Sequence, residues 1–278
     1  MSEGSVQTDP HKIHYVEAGR GYPLVMLHGS GPGATGLSNF SPNIAELSRR
    51  FRVILPDMPG WGDSDSVAAQ ERDHVASLVG FLDELGIARA AFAGNSMGGA
   101  TLLRMATLHP ERMSHLVTMG SGVGQGGYLS FAPGDGPTEG LKILREAYVE
   151  QTEESMRRLV DIMTFQTPEN ADDIVRERLD TLLARPDHAR HFLDGFGARH
   201  KRAQIEALRS VTVPTMLIHG RDDRVVHFEN SLQINSLIPD SRLVLINRCG
   251  HWTQLEHAGE FNRLVAGFVL GSRVDATA

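Results

Sequence analysis

Short apolar runs alternate with helical periods along the first part of the chain, and this alternation restricts the fold more than any other feature. KIHYVEAG, PLVMLHG and VILPD read as strands, and a helical pattern follows from about Asp73 to Leu85, ending at Gly86. RAAFAGN is again strand-like, Met97 to Leu108 is helical up to Pro110, and HLVTMGS is a further strand. Apolar runs too short for helices, separated by helices, predict a mostly parallel sheet covered on both faces. The rhythm breaks at GGYLSFAPGDGPTEG, and from about Leu141 to Leu208 no strand pattern occurs. There EGLKILREAYVE and PENADDIVRERLDTLLA carry apolar residues at helical spacing, with Val175, Leu179, Leu182 and Leu183 predicted on one face. VPTMLIHG and RLVLINRCG then return as strands, and HAGEFNRLVAGFVL closes as an amphipathic helix. The simplest organisation is an α/β core of residues 1–128 and 207–278, interrupted by a helical insertion over 129–206. The 278 residues are enough to bury such a core.

Composition narrows the partners. The net charge is −7, and the basic stretches HKIH and ARHKR are too short to form a nucleic-acid footprint. The N-terminal MSEGSVQTDPHKIHY is polar, unlike a signal peptide, and no apolar run is long enough to span a bilayer. A single cysteine, Cys249, excludes an internal disulfide and fits a reducing cytoplasm. An acidic protein that binds an anion must supply positive charge, or aimed N–H groups, locally.

One loop poses a choice. GPGATG, Gly31 to Gly36, matches the dinucleotide fingerprint G-x-G-x-x-G, and Asp57 stands where that fingerprint wants an acid. A nucleotide site needs the loop to enter a helix that receives the pyrophosphate. Here Pro32 removes a donor and the helix is predicted to start only near Ser38, so the fingerprint is read as a decoy.

GNSMG, residues 94 to 98, matches G-x-S-x-G between a strand and a helix. The tight turn needs the small Gly94 and Gly98 beside Ser96, and the helix N-terminus aims N–H groups at a reacting carbonyl. A serine nucleophile needs a base, and the base an orienting acid. His251 follows the strand RLVLIN, and the loop HGRDD offers Asp222 and Asp223, with the spacing from Gly220 selecting Asp223. Each residue also has a plain structural reading, as a turn acid or a capping or core histidine. Yet Ser96, Asp223 and His251 fall at successive strand ends in the chain order of α/β-hydrolases. The loop after PLVMLHG then supplies an oxyanion donor, and the backbone N–H groups of Ser30 and Met97 are assigned that role.

The stretches LHGSGPGATGLSNF, MPGWGDSD, GNSMGGAT, LLARPDH, GRDDRVV and CGHWTQLEHAGEFNRLV extend over nearly the whole chain. In them the sequence resembles the meta-cleavage product hydrolases, carbon–carbon bond hydrolases with the α/β-hydrolase fold and an inserted helical lid. The resemblance implies a substrate of the 2-hydroxy-6-oxohexa-2,4-dienoate class, split at C5–C6 into 2-hydroxypenta-2,4-dienoate and a carboxylic acid. It implies no metal or organic cofactor and a homo-oligomer, dimer or larger. Arg185 in LLARPDH matches an arginine that meets the substrate carboxylate, and Asn39, Asn95 and Trp252 match polar positions around the same end. Without the resemblance, Arg185 reads as a helix-end residue, Asn39 as a helix start, Asn95 as a turn residue and Trp252 as a core aromatic. His227 departs from the superfamily pattern, which commonly has proline there, and is read as a helix-start residue.

Rival readings are a carboxylesterase of the same fold and a hydrolase-fold receptor for small molecules. Arg185, Asn39 and Trp252 argue against the first, and an intact triad against the second. The aspartate nucleophile of a haloalkane dehalogenase is absent from the GNSMG turn.

Overall fold

The computed structural model describes residues 1–123, 137–196 and 203–275. Its centre is an eight-stranded sheet: β1 (Ser2–Gln7), β2 (Lys12–Ala18), β3 (Tyr22–Leu27), β4 (Phe51–Pro56), β5 (Ala90–Asn95), β6 (Met113–Met119), β7 (Thr215–Gly220) and β8 (Ser241–Ile246). The order across the sheet is β1-β2-β4-β3-β5-β6-β7-β8. Only the β1–β2 and β2–β4 pairings are antiparallel. Side-chain alternation sends Val25, Leu27, Ile54, Phe92, Leu116 and Leu217 to one core, and Leu24, Met26, Val53, Leu55, Ala91 and Met216 to the other. Both faces are apolar because helices cover both, as parallel pairing requires.

The helices of the first half are α1 (Gly36–Leu47), α2 (His74–Glu84) and α3 (Met97–Leu108). Among the described residues, four more lie between β6 and β7: α4 (Glu139–Glu150), α5 (Glu153–Met163), α6 (Ala171–Ala184) and α7 (Pro186–Asp194). The chain then completes the sheet with α8 (Glu229–Leu237), a single turn α9 (Thr253–Glu256) and α10 (Ala258–Asp275). β6 and β7 are hydrogen-bonded neighbours, Leu116 opposite Thr215, so the insertion leaves and re-enters the sheet at adjacent strands.

Several expectations are corrected. β1 was not anticipated from SEGSVQ, because an edge strand with no fully buried residue lacks the apolar alternation that marks a strand. α1 starts at Gly36, two residues before Ser38, since Thr35 caps it and its hydroxyl accepts the Ser38 N–H at 2.8 Å. α8, expected to start at His227, begins two residues later, at Glu229. Leu183 does not share the buried face of α6: it is 52% exposed, and that face consists of Ala171, Val175, Arg178 and Leu182. The stretch where the sequence rhythm breaks lies mostly outside the described residues, and the predicted boundary at 129 and the whole of ARHKR lie outside them. No helix among the described residues is long and apolar enough to cross a membrane.

Asp57, the acid of the dinucleotide fingerprint, binds α1 and the antiparallel edge together. Its Oδ1 accepts the Gly36 N–H at 2.7 Å, and its Oδ2 accepts the Asp63 N–H at 3.1 Å and pairs with His14 Nδ1 at 2.8 Å. The other ring nitrogen of His14 meets Glu3 Oε1 at 2.9 Å. The hydrogen bond to Asp57 raises the His14 pKa, outweighing burial, which lowers it. A raised pKa gives stability that is full below the unfolded value, near about pH 6.5, and is lost as pH climbs through the folded one. The melting temperature of wild type should therefore exceed that of His14→Gln most at about pH 5.5–6, the gap narrowing toward alkaline pH. A gap independent of pH would remove His14 from the pH dependence of stability.

Candidate active site

β5 runs straight into α3 through Ser96, whose backbone lies at φ 52° and ψ −112°, a left-handed conformation costly for any residue but glycine. The strain is held by close backbone packing. A Cβ on Gly98 would lie 2.4 Å from the Leu27 carbonyl oxygen, and one on Gly94 would lie 2.6 Å from the Gly98 carbonyl carbon. The Ser96 N–H donates to Met119 O at 2.7 Å, which fixes the turn to β6. Met97 is the first residue of α3, so no preceding helical turn offers its N–H an acceptor.

The expected acid and base converge beneath this turn. His251 Nδ1 lies 2.8 Å from Asp223 Oδ2, and both side chains are almost wholly buried. Asp223 Oδ1 accepts the N–H groups of Val225 and Val226 at 2.8 and 2.9 Å. Burial alone would raise the Asp223 pKa, but His251 and His219 outweigh it and hold the carboxyl below its usual range. The carboxylate thus stays ionised and fixes the His251 ring through Nδ1. The His251 and Trp252 N–H groups both donate to Met163 O at the end of α5, at 2.8 and 3.1 Å. Glu256 reinforces this join, accepting the Gly250 N–H at 2.6 Å and the Phe165 and Gln166 N–H groups at 2.7 and 3.1 Å.

Ser96 and His251 open on a pocket also lined by Gly29, Ser30, Gly31, Ala34, Asn39, Asn95, Leu144, Met163, Arg178 and Trp252. Of the expected residues, Ser96, His251, Ser30, Asn39, Asn95 and Trp252 therefore meet at one cavity, with Asp223 behind and Met97 adjoining. Asn39 Oδ1 accepts the Gly29 N–H at 3.4 Å, and Asn95 Nδ2 donates to His251 O at 3.2 Å. Asn95 Oδ1 is buried without a hydrogen-bond partner.

Arg185 is not brought to the pocket. Its guanidinium donates to Gly62 O at 3.2 Å, Ser64 O at 2.7 Å and His188 Nε2 at 3.1 Å, which spends the fork on docking the α6–α7 junction. Burial, with Arg185 and Arg72 nearby, lowers the His188 pKa to about 4, so its ring is neutral and can accept. The arginine at the pocket is Arg178, which sequence reasoning missed. It is 1% exposed, lies 4.4 Å over the Trp252 ring, and donates from Nη1 to Pro32 O at 3.2 Å. Its Nε and Nη2 are buried with no hydrogen-bond partner. Burial lowers its pKa to about 10, which still leaves it charged at neutral pH. Two unmatched donors on a buried cation facing a cavity make a receptor for an anion. The signal in the sequence was an arginine three residues after Val175 and four before Leu182, on the apolar face of its helix.

The same contact explains the misleading fingerprint. Gly33 has φ +62°, and a Cβ there would fall 2.0 Å from the Arg178 carbonyl oxygen, so the loop receives a helix backbone and not a pyrophosphate. Tyr148, stacked on Phe192 with centroids 4.0 Å apart, braces the loop from the insertion: its hydroxyl donates to Ser30 O at 2.8 Å and accepts from Trp61 Nε1 at 3.0 Å. His227 pairs with Glu229, the first residue of α8, at 3.4 Å and does not line the pocket.

Residues 22–258 match the α/β-hydrolase fold family. A 2-hydroxy-6-oxononadienedioate/2-hydroxy-6-oxononatrienedioate hydrolase of Cupriavidus pinatubonensis is 42% identical over 93% of this chain and 90% of its own length. Its counterpart from Paraburkholderia xenovorans is 39% identical over 96% and 92%. Among solved structures, a meta-cleavage product hydrolase of Pseudomonas fluorescens superposes with a TM-score of 0.86 at 30% identity, covering 97% of this chain and 98% of that one. A 2-hydroxy-6-oxo-6-phenylhexa-2,4-dienoate hydrolase of Rhodococcus gives 0.77 at 26% identity, over 92% and 94%.

The packing of Gly33 against Arg178 is testable. Gly33→Ala should displace α6 and destabilise the fold by about 2–3 kcal/mol in urea unfolding. An unchanged midpoint would refute the close approach.

Proposed function

The chain belongs to the meta-cleavage product hydrolases of the α/β-hydrolase fold family, serine-dependent carbon–carbon bond hydrolases, and we propose that Arg178 sets the end of the substrate it holds. The substrate class is a 2-hydroxy-6-oxohexa-2,4-dienoate carrying a substituent on C6. The observation that carries this reading is the buried guanidinium with two free donors on the cavity that Ser96 and His251 share. An ester pocket has no need of a buried cation, whereas the C1 carboxylate and 2-oxygen of a dienoate match it. Asn39, Asn95 and Trp252 border that end, and the insertion serves as the lid that excludes water above it.

The chemistry follows from what the substrate lacks. Breaking C5–C6 directly would strand an electron pair on C5, so a sink must be made first. Moving the proton of the 2-hydroxyl to C5 gives a 2,6-diketone, with His251 as the proton carrier. An oxygen nucleophile, Ser96 Oγ or a water deprotonated by His251, then adds to C6 while the N–H groups of Ser30 and Met97 face the developing oxyanion. As C5–C6 breaks, its electron pair runs through C4 and C3 to the oxygen on C2, beside the Arg178 charge. Reprotonation there yields 2-hydroxypenta-2,4-dienoate; C6 leaves as a carboxylic acid directly when water is the nucleophile, and, when Ser96 is, after a water activated by His251 hydrolyses the resulting Ser96 ester. The same reading includes a cytoplasmic enzyme assembled as a dimer or larger, which light scattering on the purified protein tests.

Purified protein mixed with 2-hydroxy-6-oxo-6-phenylhexa-2,4-dienoate should bleach its visible absorbance and release benzoate. Ser96→Ala should lower kcat by about 10⁴-fold or more while still binding the dienoate; near wild-type turnover would remove Ser96 as nucleophile. Arg178→Met should lose about 10²–10³ in kcat/KM on the dienoate, and little on a neutral p-nitrophenyl ester. Arg185→Met should leave the ratio of the two activities unchanged. Equal losses on both substrates for Arg178→Met would demote it to a structural residue, and turnover of esters alone would favour the carboxylesterase reading.

A further inference from the structure

The acid of the site serves two histidines. Asp223 Oδ2 lies 2.8 Å from His251 Nδ1 and 3.1 Å from Nε2 of His219, a fully buried residue of β7. The same Nε2 lies 2.8 Å from Val226 O, and the other ring nitrogen, Nδ1, lies 2.6 Å from Ser231 Oγ on α8. These contacts fix the tautomer. A carboxylate oxygen and a carbonyl oxygen carry no hydrogen, so Nε2 bears the proton and shares it between them. In the neutral ring Nδ1 is then an acceptor, and the Ser231 hydroxyl donates to it.

We infer that His219 is a positioning residue that acts on His251 through Asp223, holding the carboxylate in register and moderating how strongly it draws the proton of the base. With His219 in place, the four lone-pair directions of the carboxylate are all engaged, by Val225, Val226, His219 and His251. Charge given to the His219 N–H is unavailable to an imidazolium at His251. Loss of that donor therefore leaves a more basic partner and a His251 that retains its proton to higher pH. Among the described residues, the other polar or titratable groups about His251 are Ser96 and Arg178 across the pocket, and Cys249, Asp222 and Glu256 about the loop that carries it. His227 pairs with Glu229, the first residue of α8.

The proposal rests on the triad assignment above, and two amide substitutions separate its parts. Glutamine at 219 places an N–H where Nε2 stands and keeps the bond to Asp223. Asparagine reaches only the Nδ1 position and keeps only the contact with Ser231. The readout is the pH profile of kcat/KM from about pH 5 to 10, on a dienoate and on a p-nitrophenyl ester. His219→Asn should move the acid limb up by about 0.5–1 pH unit and lower kcat about tenfold, with KM within about twofold. His219→Gln should overlay wild type. Profiles in which both variants coincide with wild type, or in which both shift alike, overturn the proposal. Wild type inert on the dienoate but active on the ester defeats the proposed function alone, and the comparison is then read on the ester. Nitrogen NMR of ring-labelled wild-type protein gives a check free of any variant: the neutral His219 ring should carry its proton on Nε2, and an Nδ1–H tautomer would refute the inference.

Discussion

The strand-to-helix turn at Ser96 is possible only because two backbones touch. With Leu27 O 2.4 Å from where a Gly98 Cβ would be, α3 can start directly at the end of β5 and lie against β3. The positions of the nucleophile, the following helix N-terminus and the loop after β3 all derive from that single contact. The left-handed backbone at Ser96 is its energetic cost, held in place by the Met119 carbonyl on β6. A serine so placed cannot relax away from the cavity without undoing the centre of the sheet.

Much of this was legible in sequence because it depends on local chemistry. The parallel strands announce themselves as apolar runs, and the nucleophile turn by paired small residues between a strand and a helix. Asp223 and His251 followed from strand ends and chain order. What was not legible depends on partners distant in the chain. β1 is a strand only because β2 offers it hydrogen bonds, from Ser2 opposite Glu17 to Gln7 opposite Lys12. Arg178 and Arg185 sit on one helix and its cap, and only tertiary contacts distinguish them. One guanidinium meets carbonyl groups that use its donors, and the other meets a cavity that does not. A hydropathy pattern counts both as polar and assigns the buried face to Leu183 instead.

The glycine-rich loop after β3 shows how one composition serves two physical ends. Glycines admit the close approach of any backbone or anion, so a fingerprint alone does not say which is admitted. Here the approaching group is the main chain of α6 at Arg178. That arrangement brings the positive charge of the pocket and its oxyanion loop into a single packed unit, further braced by Tyr148 on the Ser30 carbonyl. The positive charge at the pocket and the loop that borders Ser96 are thereby positioned by the same contact between insertion and core.

The join at Met163 divides its residue in two. Its carbonyl oxygen holds the N–H groups of His251 and Trp252, while its side chain lines the pocket. The bond that steadies the base is made by atoms that every amino acid possesses, so it is indifferent to what stands at position 163. Exchange of that side chain can enlarge, narrow or polarise the chamber while the base stays moored. The shape of the pocket wall and the anchoring of the His251 loop are therefore separable properties of one residue, free to change on different schedules.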